Sequence, residues 1–379
     1  MKVLIAVTHL LGAGHLSRAL TLGRAFAAAG HDVAVLSGGQ PAPHMDYAGV
    51  RIVQLPPIAS DGTNFTSLLD ADGQYADALY MQSRQDAALG ALNEMQPDVF
   101  ITELFPFGRR SLSVEFLALI DAAKALPSRP RILCSIRDIL APPSKSSMAE
   151  KALDILQSSY DAVLVHSDPN ITTLADSWPV TPELDKLLRY TGYVSPPAAT
   201  PHPEGVGQGE VLVSAGGGSV GQALFECAIE AARQSDLHWR LLVGGKDRQD
   251  RIAALMERAG HLNITIEAVR PDFRQMLHGA ACSVSMCGYN TALDLLQTGV
   301  PAVLVPFDDG GEVEQTLRAQ SLAHQPAIDV LMASDMTPES MANAVVQVMV
   351  QGQRSDDSLQ MQGAESAVQM TQDIIEGRT

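Results

Sequence analysis

The chain has little cysteine, few aromatic residues and few cations. Its four cysteines, Cys134, Cys227, Cys282 and Cys287, include no CxxC pair. That spacing excludes a cysteine-based zinc knuckle and supplies no disulfide framework, so reduced and mostly buried thiols are expected. Lys and Arg total 26 against 43 Asp and Glu, a formal net charge of −17. A surface this acidic repels a phosphate backbone, which argues against a nucleic-acid partner. It also disfavours an anionic bilayer, leaving peripheral membrane contact to a local basic spot. No run reaches the ~18 apolar residues that a membrane span needs. The opening MKVLIAV leads straight into THLLGAGH with no small-residue cleavage site, so it reads as a first strand and not a signal peptide. A cytoplasmic protein is the expectation.

What is present can build cores. Hydrophobic residues are 46% and charged residues 18% of a 379-residue chain, which suits two domains. KVLIAV, DVAVL, RIVQL, DVFIT, RILCSI and AVLVH are short apolar strands. Helical stretches from about His15, Gln74, Ser113 and Ser146 are interspersed among them. Continuous apolar strands alternating with helices predict a parallel sheet covered on both faces. The stretch 195–210, rich in Pro and Gly, reads as a linker. Beyond it the alternation restarts with EVLVS, WRLLVGG, NITIEAV, CSVSM and PAVLVPF. The predicted fold is α/β, with Rossmann-like domains at 1–194 and 211–357 and a functional cleft at their strand ends. A last helix, about 358–375, is available to pack back on the first domain.

Three glycine-rich turns follow strands. In THLLGAGHLSR, Gly12 and Gly14 permit a tight turn, and His15 opens a helix. A histidine there is suited to remove a proton from an acceptor hydroxyl, or else it caps the helix. In VSAGGGSVGQAL, the exposed amides of Gly217, Gly218 and Ser219 precede a helix and suit a phosphate. The turn lacks a P-loop Lys-Ser/Thr ending. In SMCGYNTALDLL, Gly288 ends a strand, Asn290 and Thr291 start a helix, and Asp294 lies one turn on. After the next strand, Glu314 and Gln315 open another helix. Phosphate at a helix start, a carboxylate for ribose and a carboxylate-amide pair for sugar hydroxyls make a coherent nucleotide-sugar site. Taken singly, each of these residues also fits a helix cap or a solvated charge.

At these residues the chain resembles GT-B glycosyltransferases of family 28, with the likeness most specific between Gly288 and Ala319. The resemblance implies a GT-B fold and transfer of a sugar from a nucleotide-sugar, with UDP as the implied nucleotide. No cofactor is expected beyond the nucleotide-sugar co-substrate, and no required metal. Gly14, Gly217, Gly218 and Ser219 would meet the donor's diphosphate, with Thr291 on phosphate and Asp294 on ribose. Asp294 stands where the family usually has Glu, and Glu314-Gln315 stand where it has Gln-Gln or Asp-Gln. Val269 and Arg270, with Phe273, would lie near the base. His15 matches the family's glycine-loop histidine. The blocks HLLGAGHLSR, TELFPFGRR and SAGGG are shared with a group of predicted bacterial glycosyltransferases. In DVFITELFPFG, Glu103 stands where related natural-product glucosyltransferases carry an acidic residue that orients the histidine. Such a carboxylate would fix the tautomer of His15 and stabilise its protonated form. The alternative is that Glu103 pairs with Arg109, Arg110 or Arg137.

The reaction implied is inverting transfer to a hydroxyl or amine of an acceptor, which is a small molecule, a glycan or a lipid-linked molecule. Two other readings remain open. GAGHLSR also resembles the GxGHxxR loop of a UDP-sugar hydrolase, and a catalytically silent nucleotide-sugar binder is the third. Acceptor contacts are sought at His9, Arg109, Arg137 and Asp138 and in the loops 40–46 and 60–77. His166 reads as a packed residue. The Asp70/Asp72 pair precedes a helix with no strand before it, which favours capping over metal binding.

Overall fold

The computed structural model describes residues 1–43, 45–60, 67–308, 312–355 and 359–378. Parts of the loops 40–46, 60–77 and 308–315, and Ser358 as a helix start, fall outside the described residues. The chain divides into two compact units, one of Met1–Pro196 with Gln360–Thr379 and one of Pro197–Leu359.

The first unit opens with β1 (Lys2–Val7), α1 (Gly14–Ala28), β2 (Asp32–Ser37) and β3 (Arg51–Gln54). A small hairpin, β4 (Ala59–Ser60) and β5 (Leu68–Leu69), leads into α2 (Ala78–Met95). Then come β6 (Val99–Glu103), α3 (Ser113–Lys124), β7 (Arg131–Arg137), α4 (Ser146–Ser159), β8 (Ala162–His166), α5 (Pro182–Asp185) and β9 (Leu188–Tyr190). The seven long-sheet strands are all parallel, in the order β3-β2-β1-β6-β7-β8-β9. Because side chains alternate along a strand, each strand needs apolar residues on both faces. Leu4 and Ala6 of β1 join a core with α2, α3 and α4. Val3, Ile5 and Val7 join another with α1 and with Ala364, Ala367, Val368 and Ile374 near the C-terminus.

The second unit runs β10 (Val211–Ser214), α6 (Gln222–Ala232), β11 (Trp239–Val243), α7 (Arg248–Ala259), β12 (Ile264–Ala268) and α8 (Phe273–Met276). It continues with β13 (Cys282–Ser285), α9 (Tyr289–Thr298), β14 (Ala302–Leu304), α10 (Glu314–Leu322), β15 (Ile328–Val330) and α11 (Pro338–Gln351). Its sheet is parallel in the order β12-β11-β10-β13-β14-β15. The last helix, α12 (Gly363–Glu376), belongs to the first unit and packs on α1.

In both sheets the first strand is central and the chain winds outward from it in both directions. The loops leaving β1 and β6, and those leaving β10 and β13, therefore diverge and open a crevice at the strand ends. The short, half-exposed β9 and β15 extend the sheets beyond the strands that apolar runs announce.

Candidate active site

In the first unit, His15 lies in the first turn of α1, at the switch point between β1 and β6. Glu103 is the last residue of β6, beside β1 in the sheet. His15 Nδ1 is 2.8 Å from Glu103 Oε1, and the His15 side chain is 14% exposed against 1% for Glu103. The carboxylate does not pair with Arg109, Arg110 or Arg137. Its cation is Arg18, one helical turn beyond His15 and only 4% exposed, which donates from Nη2 to the same Oε1. Ser135 Oγ, in register with Glu103 on β7, donates to Oε2 at 2.6 Å. A buried carboxylate accepting from Arg18, His15 and Ser135 is held far below the usual range, the Arg18 charge outweighing the cost of burial in net direction.

Glu103 favours a protonated His15, through its hydrogen bond and its charge, but other influences outweigh it. Burial is the largest influence on His15. With Arg109 and Arg18 adding repulsion, it lowers the pKa to about 3 despite the bond to Glu103. The start of α1 acts in the same direction, since helix N-termini disfavour cations. The ring is oriented by Glu103 but is kept neutral.

The loop after Glu103 is pinned by its aromatics. Phe105 stacks on Phe116 at 4.8 Å and Phe107 meets Trp178 edge-on at 5.1 Å. Leu104 and Arg109 take left-handed backbone, φ 71° and 59°, a local strain next to the pair. Arg109 Nε donates to Thr8 O at 2.6 Å, which brings Arg109 to the end of β1. His9 is buried and bonds through Nε2 to Gln40 O at 3.0 Å; burial lowers its pKa. Asp138 is buried, accepting from Ile139 N at 2.7 Å, and Arg137 ends β7 half-buried. His166 is packed inside, bonded to Ser135 at 2.9 Å and Thr191 at 2.8 Å. Asp70 caps its own turn, accepting from Asp72 N and Gln74 N at 2.9 Å each, whereas the α2 cap is Asp77. Among the described residues no acidic, His or Cys cluster is arranged for a metal.

In the second unit, the loop after β10 places Gly217, Gly218 and Ser219 exposed ahead of α6. Gly216 at φ 79° and Gly221 at φ 84° set its path. Gly245 N donates to Gly217 O at 3.1 Å, and Arg251 holds Gly244 O at 3.2 Å and Val220 O at 2.8 Å. The Ser219 hydroxyl donates to Asp247 at 2.7 Å, so a phosphate arriving there has to displace or share with a carboxylate. β10 pairs with β13, so the next loop out carries Gly288, the N-cap of α9, with Asn290 exposed and Thr291 half-buried in its first turn. The loops that lead to α6 and α9 thus flank the switch point between β10 and β13.

Asp294 is not a solvated charge. It is largely buried and bonded to Arg274 Nε at 2.7 Å. Burial raises its pKa while Arg274 opposes the rise. Arg270 forks onto Asp272 at 2.8 and 2.6 Å, and Val269 is 40% exposed beside it. Glu314 and Gln315 begin α10, and Gln315 Oε1 accepts from Phe307 N at 3.2 Å. A cavity of about 420 Å³ lies between the start of α6 and the end of β14, lined among others by Val220, Leu224, Met286, Phe307, Asp308 and Met336. Neither the contact of Arg18 with Glu103 nor that of Ser135 is announced by the sequence, although Arg18 is the last residue of the GxGHxxR spacing.

Two doubly wound parallel units with these loops define the GT-B architecture of glycosyltransferases, and known structures agree. The chain matches MurG of Acinetobacter baumannii with a TM-score of 0.63 at 17% identity over 98% of this chain and 100% of that one. It matches the glycosyltransferase VinC, solved with dTDP, at 0.64 and 15% over the whole of both chains. Residues 212–376 match the glycosyltransferase family 28 C-terminal domain. The chain therefore has the GT-B fold, and its residues 212–376 are similar to the C-terminal domain of family 28 glycosyltransferases. The UDP-N-acetylglucosamine–N-acetylmuramyl-(pentapeptide) pyrophosphoryl-undecaprenol N-acetylglucosamine transferase of Brucella anthropi is 31% identical over 144 residues, 36% of this chain and 38% of that protein. Its namesake in Bacillus licheniformis is 27% identical over 150 residues, 38% and 41%. The matches thus span less than half the length of these curated relatives.

Proposed function

We propose that the protein is an inverting glycosyltransferase that takes a sugar from a nucleotide-sugar, with UDP as the favoured nucleotide. The observation that carries the chemistry is the His15–Glu103 bond at the switch point of the first unit, which leaves Nε2 as the proton acceptor. The acceptor's oxygen or nitrogen forms the new bond to the anomeric carbon and gives its proton to His15 Nε2. The bond to the diphosphate oxygen breaks, and the nucleotide diphosphate leaves with the electron pair. Glu103, which is shared with Arg18, offsets part of the charge that develops on the ring. The amides of Gly217, Gly218 and Ser219 and the first turn of α9 are the donors proposed for the leaving diphosphate. Asp294, with Glu314 and Gln315, is proposed for the ribose and the sugar. The family 28 match of residues 212–376 supports placing the donor in the second unit. No cofactor or metal enters this reading, and a cytoplasmic location is proposed with it; among the described residues no helix is long and apolar enough to cross a membrane. The acceptor class stays open between a small molecule, a glycan and a lipid-linked molecule.

Water in place of the acceptor makes a hydrolase of the same residues. The engagement of Arg18, the last residue of the GxGHxxR spacing, with Glu103 is the observation that favours this second reading. Incubation with a panel of nucleotide-sugars and no acceptor separates the two, following melting temperature and released nucleotide. A stabilising shift with little release supports transfer, and rapid release lost in His15→Ala supports hydrolysis. No shift with any nucleotide-sugar removes the donor-site reading.

A further inference from the structure

The His15–Glu103 pair ends a longer buried chain whose proton positions can be worked out. Ser135 Oγ lies 2.6 Å from Glu103 Oε2, so its single hydrogen goes to the carboxylate, since two bare acceptors would repel at that distance. Towards His166 Nε2, 2.9 Å away, Ser135 can then only accept. His166 carries its proton on Nε2, and its Nδ1 lies 2.8 Å from the Thr191 hydroxyl, which also reaches Gly192 O at 2.8 Å. Complete burial, with the nearby Arg18 adding to it, favours the neutral ring.

The same reasoning applies at the other end. His15 Nδ1 and Arg18 Nη2 both converge on Glu103 Oε1 and stand 3.0 Å from each other. Nδ1 can donate to the carboxylate or accept from Arg18, but not both. Donation leaves Arg18 against a neutral N–H, whereas a protonated ring would put two cations in contact. The charged and titratable groups facing this cluster are Arg18 on α1, Glu103 on β6, Arg109 on the loop after β6, the Cys134 thiol on β7, which Glu103 and burial push up, and His166 on β8.

We infer that Arg18 is a positioning residue that sets the charge of this site: it occupies the carboxylate that would otherwise stabilise an imidazolium, and so holds His15 as the neutral Nδ1–H tautomer. Ser135 and His166 close the far side of the carboxylate, fixing which oxygen faces the pair. As a regulator of the base, this role rests on the transferase reading; as a statement about protonation it does not.

The test is NMR of the full chain with isotope-labelled histidine, the His15 ring signals being assigned from His15→Gln. The wild type should show an Nδ1–H tautomer with no midpoint between about pH 5 and 8. Arg18→Met should bring a His15 midpoint into that window, a rise of more than one pH unit, and Arg18→Lys should not. Should Arg18→Met fail to fold around its uncompensated carboxylate, Arg18→Gln keeps a hydrogen-bond donor there without the charge and should titrate in the window likewise. In a Glu103→Gln background, removal of Arg18 should bring no midpoint into the window, because no carboxylate is left to be freed. A wild-type His15 midpoint above about pH 5, no change in both Arg18→Met and Arg18→Gln, or the same rise with and without Glu103, overturns the inference. An unmoved midpoint leaves donor binding intact, whereas a protein that binds no nucleotide-sugar fails the transferase reading and leaves the titration result standing.

Discussion

At the scale of residues, burial decides which charges this protein can hold. His15 and His166 both have pKa values lowered from 6.5 to about 3, chiefly by burial, and Glu103 is held well below its ordinary value. The sign of the linkage follows. Below about pH 6.5 the unfolded chain takes up protons on these histidines that the folded chain refuses, so stability falls with acidification. Below about pH 4.5 the Glu103 contribution is lost as well. Denaturant unfolding at a series of pH values should show a decline starting near pH 6.5, shallower in His166→Gln. An unchanged slope in that variant would remove His166 from the linkage. At the site itself, His15→Ala should lower turnover by about 10²–10⁴-fold, the usual worth of a general base, while leaving the donor-induced melting shift intact. Glu103→Gln should lower it less, because the amide oxygen can still orient the ring; steady-state rates at saturating donor decide the order.

At the scale of elements, two glycines of the β10–α6 loop make separable predictions. Gly221 has φ 84°, and a Cβ there would sit 2.3 Å from Ala215 Cβ, so Gly221→Ala should cost more than about 2 kcal/mol in a chemical melt. Around Gly217 a Cβ meets nothing within 4 Å, so Gly217→Ala should leave stability nearly unchanged and yet weaken any diphosphate resting on that backbone. An unaltered donor affinity in Gly217→Ala would remove the loop from the donor site. Arg84 of α2, with no exposed surface, clamps Glu115 of α3 at 3.0 Å through two nitrogens and also holds Gly38 O and Pro56 O. Arg84→Met should cost about 3–5 kcal/mol, with part recovered in Arg84→Met/Glu115→Leu, because the single change strands a buried carboxylate. Equal losses in the single and double variants would argue against that cause.

Strands such as KVLIAV and RILCSI were legible in the sequence because a strand covered on both faces must be apolar throughout. Edge strands escape that logic: β9 reads Leu-Arg-Tyr and β15 Ile-Asp-Val, half-exposed and too short for a pattern. Helix α11 was missed although its run Pro338–Gln351 is amphipathic with a capping box at Thr337. At the site, His15 and Glu103 stood in recognisable loops, whereas Arg18 closes the GxGHxxR spacing without any sign of its partner. Its burial depends on the proximity of β6, which sequence spacing alone does not encode.

At the scale of the whole molecule, the chain leaves the first unit once and returns to it. Helix α12 is no tail, because Ala364, Ala367, Val368 and Ile374 complete the core around α1. Removal of residues 360–379 should therefore destabilise the first unit and raise amide exchange in α1 and β1, while β10–β14 stay protected; exchange measured by mass spectrometry checks this. The same arrangement bears on synthesis at the ribosome. While the second unit is being made, for roughly ten to thirty seconds at about 5–20 residues per second, the nascent first sheet waits with its α1 face open. A cell making this protein has that apolar face to shelter, and a chaperone that recognises exposed Val, Leu and Ile is suited to the task.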